Sequence, residues 1–349
     1  MTYWPAWRPL SQGWIRWDSF YRETSILQGG GCIRKHVGSL PHDRSHLLIR
    51  PEDSKGPTSL FQNSIVRWLN AHLCDDQASD EGTGRVVDSI AFCKGAGVVC
   101  GRIPIDVLVE EFFPSCNIDW YVYDGDVISP GDRILKLRGP SSSVLSCERV
   151  LLNILGRLSG IATMTSEWVS EATGLGIACT RKTSWGLLDK WAVHVGGGLT
   201  HRLSRRDALM IKENDMRLSS TNITPEDSIA SAISSIDLGA NAMFAVIEVQ
   251  DSGQAIIAAR AWSESQKTRN GAEPIVILLD NMGPTACGSV DEELKSLGLR
   301  EWCILEGSGG IKREDLPTWA RVAGVEVISS SEVNMNSGTL DFSMLIGGV

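Results

Sequence analysis

The chain has 349 residues, of which 42% are hydrophobic and 21% charged, and carries a formal net charge of −9. That length suffices for two domains, or for one large barrel with additions. The balance is that of an ordinary globular protein, and its acidic sign argues against a general nucleic-acid binder, which needs a basic stripe.

The first 60 or so residues show no sustained period, and Pro51 to Pro57 reads as a linker. Trp4, Trp7, Trp14 and Trp17 lie among charges without a continuous apolar core, so residues 1–20 do not read as a signal peptide. No run approaches the ~20 apolar residues of a membrane helix. Cysteines at 32, 74, 93, 100, 116, 147, 179, 287 and 303 form no CxxC pair, which suggests reduced, mostly buried thiols and a cytoplasmic protein.

Ile65, Trp68, Leu69 and Leu73 fall at helical spacing, so a helix is expected to end near Cys74. Strands are expected at 86–90, 97–100, 120–122 and 133–137, with turns at Asp124-Gly125-Asp126 and Ser129-Pro130-Gly131. Val150, Leu151, Ile154, Leu155 and Leu158 then form a helical stripe after Glu148-Arg149. Beyond Ser159 the chain alternates. Strands are expected at 176–181, 208–212, 242–249, 275–280, 302–306 and 324–329, with helices between, such as 225–238, 252–266 and 289–297. Six βα units, with room for one missed strand, fit a parallel barrel better than an open doubly wound sheet.

Charges recur where these strands end, the place where such barrels build active sites. Arg181 and Lys182 follow the first strand and Lys212 closes the second; Glu248, Asp280 and Glu306 close later ones. Arg181, Lys182, Arg202 and Lys212 could grip a ligand with two carboxylates, arginine by its planar fork and lysine as a point charge. Glu248 and Asp280 are hard oxygen ligands for Mg²⁺ or for sugar hydroxyls. Gly307-Ser308-Gly309-Gly310 can offer backbone amides to a phosphate. Plainer readings stand beside these. Gly196-Gly197-Gly198 is equally a tight connection, His201 a loop histidine, and His194 a packing residue. Arg205 and Arg206 read as solvated, Asp124 and Asp126 as turn residues, and Glu148 and Arg149 as structural.

Several of these runs occur in a familiar order: Glu148-Arg149-Val150-Leu151-Leu152-Asn153, Leu158-Ser159-Gly160, Thr180-Arg181-Lys182-Thr183, Gly196-Gly197-Gly198, His201-Arg202-Leu203, Lys212-Glu213-Asn214, Leu279-Asp280-Asn281, Glu306-Gly307-Ser308-Gly309-Gly310 and Leu340-Asp341. Over residues 60–345 the sequence resembles the quinolinate phosphoribosyltransferase family. The resemblance implies an N-terminal α/β sandwich (61–147, joined by 331–349) and an incomplete, roughly seven-stranded α/β barrel (148–330) of type II phosphoribosyltransferase kind. Residues 1–60 would be an extension of unknown role.

The resemblance also implies decarboxylating transfer from phosphoribosyl pyrophosphate to quinolinate. Thr180, Arg181, Lys182, His201, Arg202 and Lys212 would hold quinolinate, with Arg149 reaching a neighbouring subunit's site in a homodimer or higher oligomer. Glu248 and Asp280 would meet ribose and Mg²⁺, directly or at one remove, while Ser308, Gly309, Gly310 and Ser331 would cradle phosphate. Lys182, Lys212, Glu248 and Asp280 would be the catalytic set, and neither nucleic acid nor membrane is an expected partner.

The sequence departs from the family in four places: a shortened 184–191 segment with Trp185 in place of proline, Asp215 in place of histidine, the 331–336 segment, and the first 60 residues. Trp185 and segment 331–336 leave room for a related transferase acting on another aromatic acid; a silent ligand-binding homologue is a third alternative, against which the intact Glu248, Asp280 and Lys212 weigh.

Overall fold

Thr58 caps the first helix, its hydroxyl accepting the Phe61 backbone N–H at 3.3 Å. Helix α1 (Ser59–Asp76) buries Phe61, Ile65, Leu69 and Leu73 and ends where Gln77 turns left-handed, at φ 53°. The computed structural model describes residues 40–50, 56–212, 215, 224–236 and 244–347. The four early tryptophans, Glu213 and Asn214 lie outside them.

After α1 come β1 (Val86–Cys93), β2 (Gly97–Val98), α2 (Arg102–Val107), β3 (Asn117–Trp120), β4 (Val127–Ile128) and β5 (Arg133–Pro140). β1, β3 and β5 belong to an antiparallel sheet completed by the last strand of the chain, β12 (Phe342–Ile346), in the order β12-β1-β5-β3. The final segment reaches this sheet by lying on the 31-residue helix α3 (Ser141–Glu171). A side chain at Gly160 would overlap the Gly338 carbonyl, and the Leu340 N–H donates to the Gly156 carbonyl at 3.0 Å.

The second sheet is wholly parallel. It contains β6 (Gly176–Ala178), β7 (Leu209–Ile211), β8 (Ala245–Val249), β9 (Ile275–Asp280), β10 (Cys303–Ser308) and β11 (Val327–Ser329), in the order β6-β11-β10-β9-β8-β7. Helices α4 (Leu187–Val195), α5 (Pro225–Ser234), α6 (Ser252–Arg269), α7 (Gly283–Ser296) and α8 (Leu316–Trp319) connect the strands, and α9 (Glu332–Met335) follows the last of them. Each strand falls near its expected place. β6 is shorter, however, stopping at Ala178 because the chain turns at Thr180, whose hydroxyl accepts the Lys182 N–H at 3.1 Å.

The architecture is the incomplete barrel. Among the described residues its seventh position is a single bridge, Leu199 beside Ala178. No strand follows that bridge, because His201 takes up φ 52° and the chain leaves the sheet. The seam between β6 and β7 is therefore open.

Side chains alternate along each strand. Ala178, Val246, Val276, Leu278, Ile304 and Val327 point inward and form one cluster with Leu199, Ala208, Phe244 and Leu40. In β9 the run Ile275 to Leu279 is buried throughout, each such side chain stabilising the fold by about 1.5–3 kcal/mol. No helix among the described residues is long and apolar enough to cross a membrane.

Candidate active site

The inward positions one step beyond that apolar cluster are polar. Two residues past Ala178, Val246, Leu278, Ile304 and Val327 lie Thr180, Glu248, Asp280, Glu306 and Ser329, and two past Glu306 and Met210 lie Ser308 and Lys212. A parallel barrel thus gathers side chains from separate strands at one mouth. Asp280 and Ser308 stand side by side in the ladder, with Ser329 on the other side of Ser308.

Glu306 does not belong to that rim. The expectation that it closes a strand like Glu248 and Asp280 fails, because it lies inside β10 and is fully buried. Its Oε1 accepts from His201 Nε2 at 3.1 Å and its Oε2 from His42 Nε2 at 3.0 Å. His201 Nδ1 accepts the Arg202 backbone N–H at 2.7 Å. Both ring nitrogens of His201 are therefore engaged within the protein, and this histidine supports the site instead of offering a ring nitrogen to a ligand. Burial holds its pKa below the ordinary histidine value.

Arg202 is also buried. Its Nη1 donates to the Ala208 carbonyl at 3.1 Å, and its Nε–H has no acceptor among the described residues. Burial first, then the charges of Arg181 and Arg205, push its pKa down to about 10, so it remains a cation at neutral pH. Arg181 and Lys182 are exposed on the turn after β6. That turn is held from beneath by Lys190, a residue the sequence reading missed. Its Nζ donates to the Thr180 carbonyl at 3.1 Å and to the Thr200 carbonyl at 2.7 Å. α4 is buried on all sides from Leu188 to Val193, so periodicity could not single Lys190 out.

Lys212 forms an ion pair with Glu248, joining the cationic and carboxylate sides. Asp280 Oδ2 accepts from Asn281 Nδ2 at 2.7 Å, and the Asn281 backbone N–H donates to the Ser308 carbonyl at 2.9 Å. Gly309 adopts φ 103°, and a side chain there would overlap Asn281. Asn281 therefore fixes both the carboxylate and the glycine turn. Ser331 stands at the N-cap of α9. Arg149 is exposed on α3.

Three departures acquire physical explanations. Trp185 stacks on Trp68 of α1, with centroids 6.2 Å apart, and the Arg157 guanidinium lies 5.5 Å from its ring centroid. Arg157 in turn holds the buried Asp189 by two hydrogen bonds of 3.2 and 3.0 Å, anchoring the shortened segment to α3. Asp215 Oδ2 accepts the Lys212 backbone N–H at 3.1 Å, so it shapes the turn after β7. Asn334 is buried and donates to the Lys182 carbonyl at 2.8 Å. Gly196 and Gly198 let the turn after α4 pack against Ala162 and Thr165 of α3, so this triplet is a tight connection. Asp124 is more than a turn residue: it is buried and accepts from the Gly101 and Arg102 backbone N–H groups at 2.9 and 3.0 Å.

Models of the quinolinate phosphoribosyl transferase N-terminal and C-terminal domains match residues 81–159 and 161–345. This chain belongs to the quinolinate phosphoribosyltransferase family. A probable nicotinate-nucleotide pyrophosphorylase [carboxylating] from Methanothermobacter thermautotrophicus is 36% identical over 77% of this chain and 91% of its own length. The mitochondrial quinolinate phosphoribosyltransferase [decarboxylating] 2 of Nicotiana glauca is 32% identical over 74% of this chain and 73% of its own. Among solved structures, NadC from Streptococcus pyogenes superposes with a TM-score of 0.68 at 27% identity, covering 84% of this chain and 99% of that one. A NadC deletion mutant gives 0.70 at 28%, over 84% and 100%. All the strand-end residues named above lie inside the quinolinate phosphoribosyltransferase span. His42 lies ahead of it.

Proposed function

We propose that this chain joins quinolinate to phosphoribosyl pyrophosphate, releasing pyrophosphate and CO₂ and leaving nicotinate mononucleotide. The observation that carries the reading is Arg202, a buried guanidinium close to Arg181 whose Nε–H has no acceptor among the described residues. A dicarboxylate beside Arg202, Arg181, Lys182 and Thr180 would supply the missing acceptors. Lys212, already paired with Glu248, would stand between the two substrates.

The ring nitrogen of quinolinate attacks C1 of the ribose, and the C1–O bond to pyrophosphate breaks. Glu248 and Asp280 favour the positive charge developing on the sugar, while Lys182 and Lys212 offset the charge of the departing and retained anions. The ribosylated ring nitrogen is cationic. When the adjacent carboxylate leaves as CO₂, its bonding electron pair stays on the ring carbon, stabilised by that charge, and the carbon takes up a proton. The protein's part is mainly to orient both substrates and exclude water.

The hard oxygens of Glu248 and Asp280 suit Mg²⁺, which would add positive charge beside the pyrophosphate. Gly309, Gly310, Ser308 and Ser331 are assigned to phosphate. Gly309→Ala is expected to raise KM for phosphoribosyl pyrophosphate about tenfold or more, because the positive φ alone costs a residue with a side chain about 1–3 kcal/mol. An unchanged KM in steady-state kinetics would remove the glycine turn from the phosphate site.

Arg149 and its neighbour Leu145, which is 57% exposed, fit a contact with a second copy, so we assign the chain to a homodimer or higher oligomer. Eight described cysteines are free thiols, seven of them buried, which favours a reducing compartment such as the cytoplasm.

Trp185 and Asp215 have structural partners, so neither favours another aromatic acid. Purified protein given quinolinate, phosphoribosyl pyrophosphate and Mg²⁺ should yield nicotinate mononucleotide and CO₂ in equal amounts. Turnover of nicotinate in preference to quinolinate would reject the reading.

A further inference from the structure

The segment carrying His42 lies outside the family span yet enters the barrel. Leu40 joins the inward-facing apolar cluster. The Arg44 backbone N–H donates to Thr200 Oγ1 at 2.8 Å, that hydroxyl donates to the His42 carbonyl at 3.3 Å, and the Arg44 guanidinium pairs with Asp207 at 3.0 Å. These contacts fall on the chain just after the Leu199 bridge and just before β7, the two borders of the open seam. His42 is thereby fully buried, its ring edge-on to His201 with centroids 5.3 Å apart.

We propose that His42 is a positioning residue for the acid-binding side of the site, a role that rests on the quinolinate reading above. A relay of hydrogen bonds runs from His42 Nε2 to Glu306 Oε2, from Glu306 Oε1 to His201 Nε2, and from His201 Nδ1 to the Arg202 N–H. The last bond fixes the left-handed bend at His201 from which Arg202 projects. Because Nδ1 of His201 accepts, its Nε2 must carry the proton and donate to Glu306. Without His42, Oε2 of a fully buried carboxylate loses its donor. The carboxylate then rotates or protonates, and His201 loses its fixed partner.

The same bonding favours a hydrogen-bond relay over a metal centre, although these three side chains are close enough to hold an ion. A metal on His201 Nε2 would require an imidazolate, since Nδ1 already accepts an N–H. A metal on His42 Nε2 would leave a buried Nδ1–H with no acceptor among the described residues.

Two substitutions at one position test this. His42→Leu keeps bulk and removes the donor, whereas His42→Gln keeps an N–H near the place of Nε2. For His42→Leu, KM for quinolinate should rise about tenfold or more, the scale of a lost charge-assisted hydrogen bond. KM for phosphoribosyl pyrophosphate should stay within about twofold, and His42→Gln should recover most of the loss. A quinolinate KM unchanged in His42→Leu, equal impairment of both variants, or a bound metal present in the wild type and lost in His42→Leu would overturn the proposal.

Nitrogen NMR of the imidazoles gives a readout independent of turnover, and the chain has only six histidines. His201 should appear as the Nε2–H tautomer in the wild-type protein and in His42→Gln, and change in His42→Leu. A wild-type His201 carrying its proton on Nδ1 would overturn the relay even if the protein turns over quinolinate. Absence of turnover with the expected tautomers would reject the quinolinate reading and leave the relay standing.

Discussion

Replacing Arg202 by leucine should cut quinolinate turnover by roughly a hundred- to a thousandfold while leaving the protein as stable as before, or more so. The two halves of this expectation have one cause. Among the described residues, the buried Arg202 side chain has one hydrogen bond, to the Ala208 carbonyl, and an Nε–H without an acceptor, and it is crowded by the charges of Arg181 and Arg205. An incompletely paired buried charge destabilises the ligand-free fold, and leucine relieves that cost. A bound carboxylate would pair it, and losing one member of such a pair typically costs about 2–5 kcal/mol. Thermal unfolding with and without quinolinate separates the effects: the ligand should raise Tm of the wild type and not of Arg202→Leu. A variant with near-normal KM for quinolinate would show that the diacid lies elsewhere.

Glu306→Leu is expected to cost about 2–6 kcal/mol of folding stability, from about 1–3 kcal/mol for each buried donor left unsatisfied. Two buried N–H donors, on His42 and His201, lose their acceptor together. Glu306→Gln should be milder, because its amide retains one carbonyl oxygen and His42 can exchange tautomers.

The same carboxylate sets a pH dependence. Burial works against its charge, but the N–H groups of His201 and His42 outweigh burial and hold its pKa well below the ordinary 4.5. A carboxylate depressed in the folded state contributes stability that is fully present above its unfolded pKa and is lost as pH falls below it. Wild-type stability should therefore fall more steeply between about pH 5 and pH 3 than that of Glu306→Leu. Parallel curves in denaturant titrations across that range would count against the assignment.

Much of this was legible from residue order. The unbroken run Ile275 to Leu279 announced a buried parallel strand, and Asp280 at its end announced a rim position. Arg202 and Lys212 stood out because cations are concentrated there in an acidic chain. What escaped was partnership across long separations. His42 and Glu306 are 264 residues apart, and no local pattern links them. Glu306 looked like one more charged strand end because parity alone does not tell which inward layer faces ligand and which lies beneath. Lys190 and Asn334 escaped for a related reason: each acts on a backbone carbonyl, and sequence gives no account of where carbonyls point. Trp185 misled in the opposite direction, since a large aromatic beside a cationic motif suggested a reshaped pocket, whereas its neighbours are Trp68 and Arg157.

The strand that completes the first sheet is the last one in the chain, pairing Ile90 with Leu345. During synthesis, β1 and β5 emerge and can pair early, but β1 keeps its other edge bare until the whole barrel has been made. An unpaired strand edge is a template for association with other chains. The interval between translation of β1 and arrival of β12 therefore leaves the buried-to-be edge of β1 open to mispairing, and closing so long a loop is slow relative to local pairing. Loss of the final strand would leave the mature protein with that edge permanently exposed.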